Sequence, residues 1–180
     1  NWSEGLRVLD ITNPTAPVAV GSFDTYGSTG DVEIAGNYAY LADDQSGLRV
    51  IDITNPAAPF EAGYLDTPDR AHDLTIVGNI VYVADQSSLQ LIDITDPMVP
   101  SRRIPVYTPD YAKRVVVTGG YAYVADDMGG LLVMNVANPI APYFVGAFNP
   151  PANPFELDVA GDYAYVAAGA AGLRVIDVAD

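Results

Sequence analysis

The sequence has no cysteine, a single histidine and a single lysine in 180 residues. Without cysteine there is no disulfide, no thiol nucleophile and no zinc–thiolate centre. One histidine, His72, excludes any multi-histidine metal site. No apolar run approaches the ~18 residues of a membrane-crossing helix, so no membrane insertion is expected. Basic residues are scarce, 8 Lys+Arg against 23 Asp+Glu for a formal charge of −15. A nucleic-acid partner is thereby disfavoured, because phosphates need a basic face. No window carries the 3.6-residue period of an amphipathic helix. Apolar residues, by contrast, are plentiful. At 49% hydrophobic the chain is too apolar for a disordered tail and long enough to bury a real core.

What is present is repetition. Gly5, Gly47, Ser88, Gly130 and Gly172 each precede a run of the Leu-Arg-Val-Ile-Asp type, and they lie 42, 41, 42 and 42 residues apart. The pairs Pro14/Pro17, Pro56/Pro59, Pro97/Pro100 and Pro139/Pro142 keep the same period. So do the Tyr-Ala-Tyr-like stretches beginning at Tyr38, Ile80, Tyr121 and Tyr163. A fixed period of this length marks a repeat architecture.

Each unit reads as four short strands, illustrated by 31–35, 38–42, 48–53 and 60–65. β-branched, leucine and tyrosine residues dominate them, as a buried pleated surface requires. Gly36-Asn37 suits a tight hairpin, and Asp43-Asp44-Gln45-Ser46-Gly47 a turn. Asn55-Pro56 turns the third strand into the fourth, because proline fixes φ and donates no hydrogen bond. Both faces of the third strand are apolar, so neighbouring sheets must cover both. The expected fold is therefore all-β: a β-propeller of four-stranded antiparallel blades with repeats of ~42 residues. Residues 1–180 form one segment, with a blade remnant at 5–24, complete repeats at 31–66, 72–107 and 113–149, and a partial repeat at 155–180. Both ends fall on third strands, and the chain does not begin with methionine. A fragment of a larger propeller is expected, with a closed four-bladed ring carrying a redundant strand as the alternative.

The units resemble LVIVD repeats, a bacterial and archaeal propeller family. The motif stands here as Leu48-Arg49-Val50-Ile51-Asp52 and Leu173-Arg174-Val175-Ile176-Asp177. The Tyr-Ala-Tyr-Val-Ala-Asp stretch and the Asn-Pro-x-x-Pro turn match as well. The resemblance implies a propeller often carried on secreted or cell-surface proteins, and no activity, since the family has no shared catalytic motif. The third unit departs from the pattern with Arg102-Arg103-Ile104-Pro105 where others carry Gly63 or Gly146. Proline there fits an outer edge strand.

Candidate chemistry is sparse. Asp10, Asp52, Asp93, Asn135 and Asp177 precede turns and read as acceptors for local backbone N–H groups. Asp43/Asp44, Asp85 and Asp126/Asp127 are too few and too local for a calcium loop and read as turn formers. The periodic Arg7, Arg49 and Arg174 read as stems packed on the sheet. The paired tyrosines of the second strands read as packing between blades. His72 beside Asp73 has no nucleophile at a recognisable spacing and reads as an exposed loop residue. Asn1-Trp2-Ser3 is a glycosylation sequon by rule. No cofactor and no metal are expected.

The connections are more telling. Fourth-to-first and second-to-third connections share one rim, and there the units differ: Thr25-Tyr26-Gly27, Pro68-Asp69-Arg70, Pro109-Asp110-Tyr111 and Pro150-Pro151-Ala152. Loops on a rigid scaffold are where binding concentrates. The expected ligand-binding residues are Tyr26, Asp69, Arg70, His72, Tyr111, Lys113 and Arg114. The expected function is a non-enzymatic scaffold that binds a protein or glycan at the cell surface or outside the cell, within a larger propeller chain. The alternatives are a propeller domain of a hydrolase or oxidoreductase, or a structural spacer.

Overall fold

Every strand pairing among the described residues is antiparallel, and proline and glycine turns set where the strands stop. A computed structural model describes residues 5–149 and 152–179. The sequon at Asn1 and the Pro150-Pro151 segment of the last rim loop lie outside those residues. The first unit contributes β1 (Leu6–Asp10) and β2 (Val18–Phe23). The second is a four-stranded sheet in the order β3 (Asp31–Ala35), β4 (Tyr38–Ala42), β5 (Leu48–Asp52) and β6 (Phe60–Leu65). Three of these strands have the expected bounds. The third stops one residue short, where the Asp52 carboxylate turns back to accept the Thr54 N–H at 2.8 Å.

The third and fourth units depart from the expected separation. They share one sheet made of β7 (Ala71–Val77), β8 (Ile80–Asp93), β9 (Ser101–Arg102), β10 (Val106–Thr118), β11 (Tyr121–Asp126), β12 (Gly130–Asn135) and β13 (Tyr143–Phe148). Two expected boundaries vanish: β8 runs through the second-to-third turn, and β10 runs through the 107–113 connection expected to be a loop. The cause is a joint between units, where Gln86 pairs with Ala112. Asp44 and Ala71 make the equivalent bridge between the second and third units. Asp44 and Gln86 are the described non-glycine residues with positive φ, 46° and 38°. That left-handed turn directs each backbone at the next unit. Between the fourth and fifth units the equivalent of Ala112 is Pro154, which has no N–H to offer. The fourth strand of the third unit is broken at Arg103–Pro105, between β9 and Val106, for the same reason.

The fifth unit is a three-stranded sheet of β14 (Glu156–Ala160), β15 (Tyr163–Ala167) and β16 (Leu173–Asp177). Helix is limited to a single 3-10 turn at Gly169–Ala171 among the described residues. No helix is long and apolar enough to cross a membrane.

The core lies between units rather than within any one of them. Tyr40, Leu48 and Val50 of the second unit pack with Leu74, Val81 and Ile92 of the third. Tyr82 and Leu89 pack with Val115, Val124 and Met134 of the fourth. Tyr123 and Leu131 pack with Leu157 and Val166 of the fifth. Each second-strand tyrosine thus lies under the following unit, which is the sheet-to-sheet packing expected of period-2 aromatics. Tyr40, Tyr82 and Tyr123 are 3%, 4% and 5% exposed, whereas their equivalent Tyr165 is 37% exposed.

A second contact locks the units in register. A β-bulge between third and fourth strands recurs in the first, second and fourth units, and each time it adjoins a glycine: Gly21, Gly63 and Gly146. A Cβ on Gly63 would sit 2.5 Å from the Pro97 carbonyl oxygen, and one on Gly21 would sit 2.1 Å from that of Pro56. The proline turn of the next unit rests on this bare backbone. At Gly146 nothing lies within 4 Å.

Candidate functional site

The strand-end aspartates behave as turn acceptors. Asp10, Asp52, Asp93, Asn135 and Asp177 each accept the N–H two residues on, at 2.8 to 3.2 Å. Arg49 is buried, with its guanidinium 4.9 Å from the Tyr64 ring and 3.1 Å from Asp66.

The turn aspartates do more than shape turns. Asp43, Asp85 and Asp126 are wholly buried. Asp43 Oδ1 accepts from Thr25 Oγ1 at 2.6 Å and Thr29 Oγ1 at 2.8 Å, while Oδ2 accepts from the Gly27 N–H at 2.9 Å. Asp85 accepts the Asp69 N–H at 3.3 Å, and Asp126 the Asp110 N–H at 3.2 Å. Each carboxylate therefore staples the rim loop that precedes its own unit. Burial pushes Asp85 and Asp126 above the usual carboxylate range. In the fifth unit the equivalent residue is the buried Ala168.

These staples shape a rim cavity of about 430 Å³ among the second, third and fourth units. Its walls include Asp44, Arg70, His72, Tyr111 and Lys113. Of the expected binding residues, Arg70, His72, Tyr111 and Lys113 are brought together here. Tyr26 stands outside it, 90% exposed. Asp69 is committed to the loop, its carboxylate accepting from Ser87 Oγ. The reading of His72 as an exposed loop residue is corrected. It lies in β7 and is half-buried, because neighbouring units close over the inner strands. Its ring centroid is 4.8 Å from that of Tyr111, with the planes tilted by 35°. Burial lowers its pKa, so the imidazole is neutral at pH 7. Arg70 faces Asp44 at 3.8 Å. Lys113 pairs with Asp127 at 2.5 Å and lies 4.6 Å from the centre of the Phe155 ring.

Arg114 lines a second cavity, of about 480 Å³, formed by the first strands of their units, β3, β7, β10 and β14. Sequence reasoning passed over Asp31 and Glu33, which look like ordinary strand residues, and weighed Asp73 only as a neighbour of His72. Their role is to join inner strands that lack a backbone ladder. Asp31 accepts the Leu74 N–H at 3.3 Å, Glu33 the Ile76 N–H at 2.9 Å and Asp73 the Val115 N–H at 2.7 Å. Arg114 replaces the acid in the fourth unit and bridges Asp73, at 2.5 Å, and Glu156. Burial, reinforced by Asp31, raises Asp73 to about 7 despite the Val115 N–H and Arg114. Among the described residues no three acidic or histidine side chains group as a metal site.

The repeat that builds this frame has a family. The LVIVD repeat model matches residues 1–25, 26–67, 69–104, 109–150 and 155–180. The chain belongs to the LVIVD repeat family. This LVIVD-repeat chain is also similar in fold to two crystal structures of computationally designed proteins. With Ika8 the TM-score is 0.73 at 11% identity, covering 89% of this chain and 49% of that one. With Ika4 the TM-score is 0.72 at 9% identity, covering 86% of this chain and 93% of that one. The LVIVD-repeat chain thus spans about half the length of Ika8. No curated protein matches it.

Proposed function

We propose that the chain is a non-enzymatic binding scaffold, a segment of a β-propeller whose varied rim engages a protein or glycan partner. One observation carries this reading. Ser28, Arg70 and Tyr111 occupy the same place in successive units, as do Gly30, His72 and Lys113, and all six line the rim cavity. The frame beneath repeats almost unchanged while these positions change at every step. A packing role favours sameness; diversity confined to one concave mouth favours recognition. The propeller arrangement is supported by inner strands gathered around a shared cavity and by sheets packed face to face in sequence order. The proposed setting, outside the cell or at its surface and within a larger propeller chain, rests on the family resemblance.

The test is a screen of the purified chain on glycan and protein arrays, followed by Arg70→Ala and Tyr111→Ala on whatever is retained. Loss of affinity by about tenfold or more is expected, since arginine and tyrosine are common interface anchors. Unchanged affinity in both, with loss from Asn55→Ala or Asn79→Ala on the opposite rim, overturns the assignment.

A further inference from the structure

The chemistry of the rim cavity narrows its occupant, and the inference rests on the rim reading above. We infer that the cavity is a saccharide site, seating one neutral sugar ring against the face of Tyr111 with its hydroxyls held by Asp44 and Arg70. Shape comes first. A concavity of about 430 Å³ is in the range of small-ligand pockets and takes roughly one or two sugar rings rather than a flat protein surface.

The lining supplies what a sugar needs. A pyranose has apolar C–H faces and a rim of hydroxyls that both donate and accept. The tilted His72–Tyr111 ring pair offers an aromatic face. The Asp44 carboxylate is an acceptor and the Arg70 guanidinium a planar fork of donors, 3.8 Å apart and loose enough for a hydroxyl to bridge both. His72 Nε2 is enclosed and has no hydrogen-bond partner. With under 1 Å² of accessible surface that nitrogen is sealed from the cavity, so His72 contributes its ring against Tyr111 rather than a hydrogen bond, and the neutral imidazole adds no charge to the lining.

Charge balance argues against an anion. Each cation in the cavity already has its own acid, Arg70 with Asp44 and Lys113 with Asp127. No surplus positive charge remains to draw in a phosphate or carboxylate from a chain with a net charge of −15. The site is also pre-formed. Asp44 is held in its left-handed turn by backbone bonds to Ala71 of 3.0 and 2.9 Å, so binding need not order the loop.

The test uses the intact chain and a panel of methyl glycosides: glucoside, galactoside and mannoside as neutral probes, methyl glucuronoside as the anionic one. His72 is the only histidine, so its imidazole resonances report the cavity without ambiguity. At least one neutral glycoside is expected to shift them with a dissociation constant on the order of 1–10 mM. Tyr111→Ala should weaken that binding about tenfold, as should Arg70→Ala, whose exposed side chain is outside the core. Tyr26→Ala should leave it unchanged. No shift from any neutral glycoside at about 100 mM, or tighter binding of the glucuronoside than of every neutral probe, overturns the saccharide inference. If no glycoside binds but a protein found on the arrays loses affinity with Tyr111→Ala, the rim reading stands and the saccharide fails. If glycosides bind equally well to Tyr111→Ala and Arg70→Ala, both fail.

Discussion

Asp43→Ala should be one of the most damaging single changes outside the hydrophobic clusters. The carboxylate is wholly buried and accepts three hydrogen bonds from one loop, from Thr25, Gly27 and Thr29. Bonds to a charged group contribute roughly 1.5–3 kcal/mol each, so a simple sum overstates the loss. The two threonine hydroxyls lie 3.2 Å apart and recover part of it by bonding to each other. The Gly27 N–H has no such alternative. The net cost should be about 3 kcal/mol. With a urea slope of about 2–3 kcal/mol/M, the unfolding midpoint should fall by roughly 1 M. Asp43→Asn keeps one acceptor oxygen but turns an amide donor toward either the hydroxyls or the glycine N–H, and should lie between the two. The cost must also depend on the donors. In a Thr25→Val/Thr29→Val background, Asp43→Ala should lose much less. A midpoint that moves by less than about 0.3 M, or a loss that stays fully additive in that background, refutes the staple.

Two further outcomes follow from the joints between units. Gly63→Ala should lower the thermal midpoint strongly, because its Cβ meets the Pro97 carbonyl at 2.5 Å, whereas Gly146→Ala, with open space around it, should be tolerated; equal effects in calorimetry would show that the turn does not seat there. Asp73 titrates near 7 when folded, against ~3.9 unfolded, so the folded state holds an extra proton between those values and stability falls as pH rises from about 4 to 7. Asp73→Asn should flatten that slope in urea midpoints measured across the window, and an unchanged slope counts against the assignment.

Strand positions were legible in the sequence because proline and glycine punctuate every unit, and β3, β4 and β6 fall where those residues place them. The rim was legible too, as variation set against sameness. What the sequence could not display is pairing across units. Gln86 joins Ala112 through a left-handed turn, which no propensity predicts for glutamine. The burial of Asp43 depends on a loop 14 to 18 residues earlier. His72 looked exposed because it adjoins polar residues, but its neighbours in space come from other units. A signal for the inner acids did exist: residues 31, 73, 114 and 156 form one aligned column that is charged in each of the four units that have it.

That column gives the array a direction. From the second to the third unit and from the third to the fourth, the earlier unit presents a carboxylate and the later one a backbone N–H, so these joins read head to tail. Any unit of this kind would accept any other, were it not for Arg114. There the earlier unit presents a cation instead, and only a successor beginning with an acid, as Glu156 does, completes the contact. One substitution thus turns an interchangeable link into a keyed one. A unit that begins with arginine cannot follow another like itself, whereas Asp31, Asp73 and Glu156 all present the acid that Arg114 needs, so the charges restrict the order of the units without fixing it.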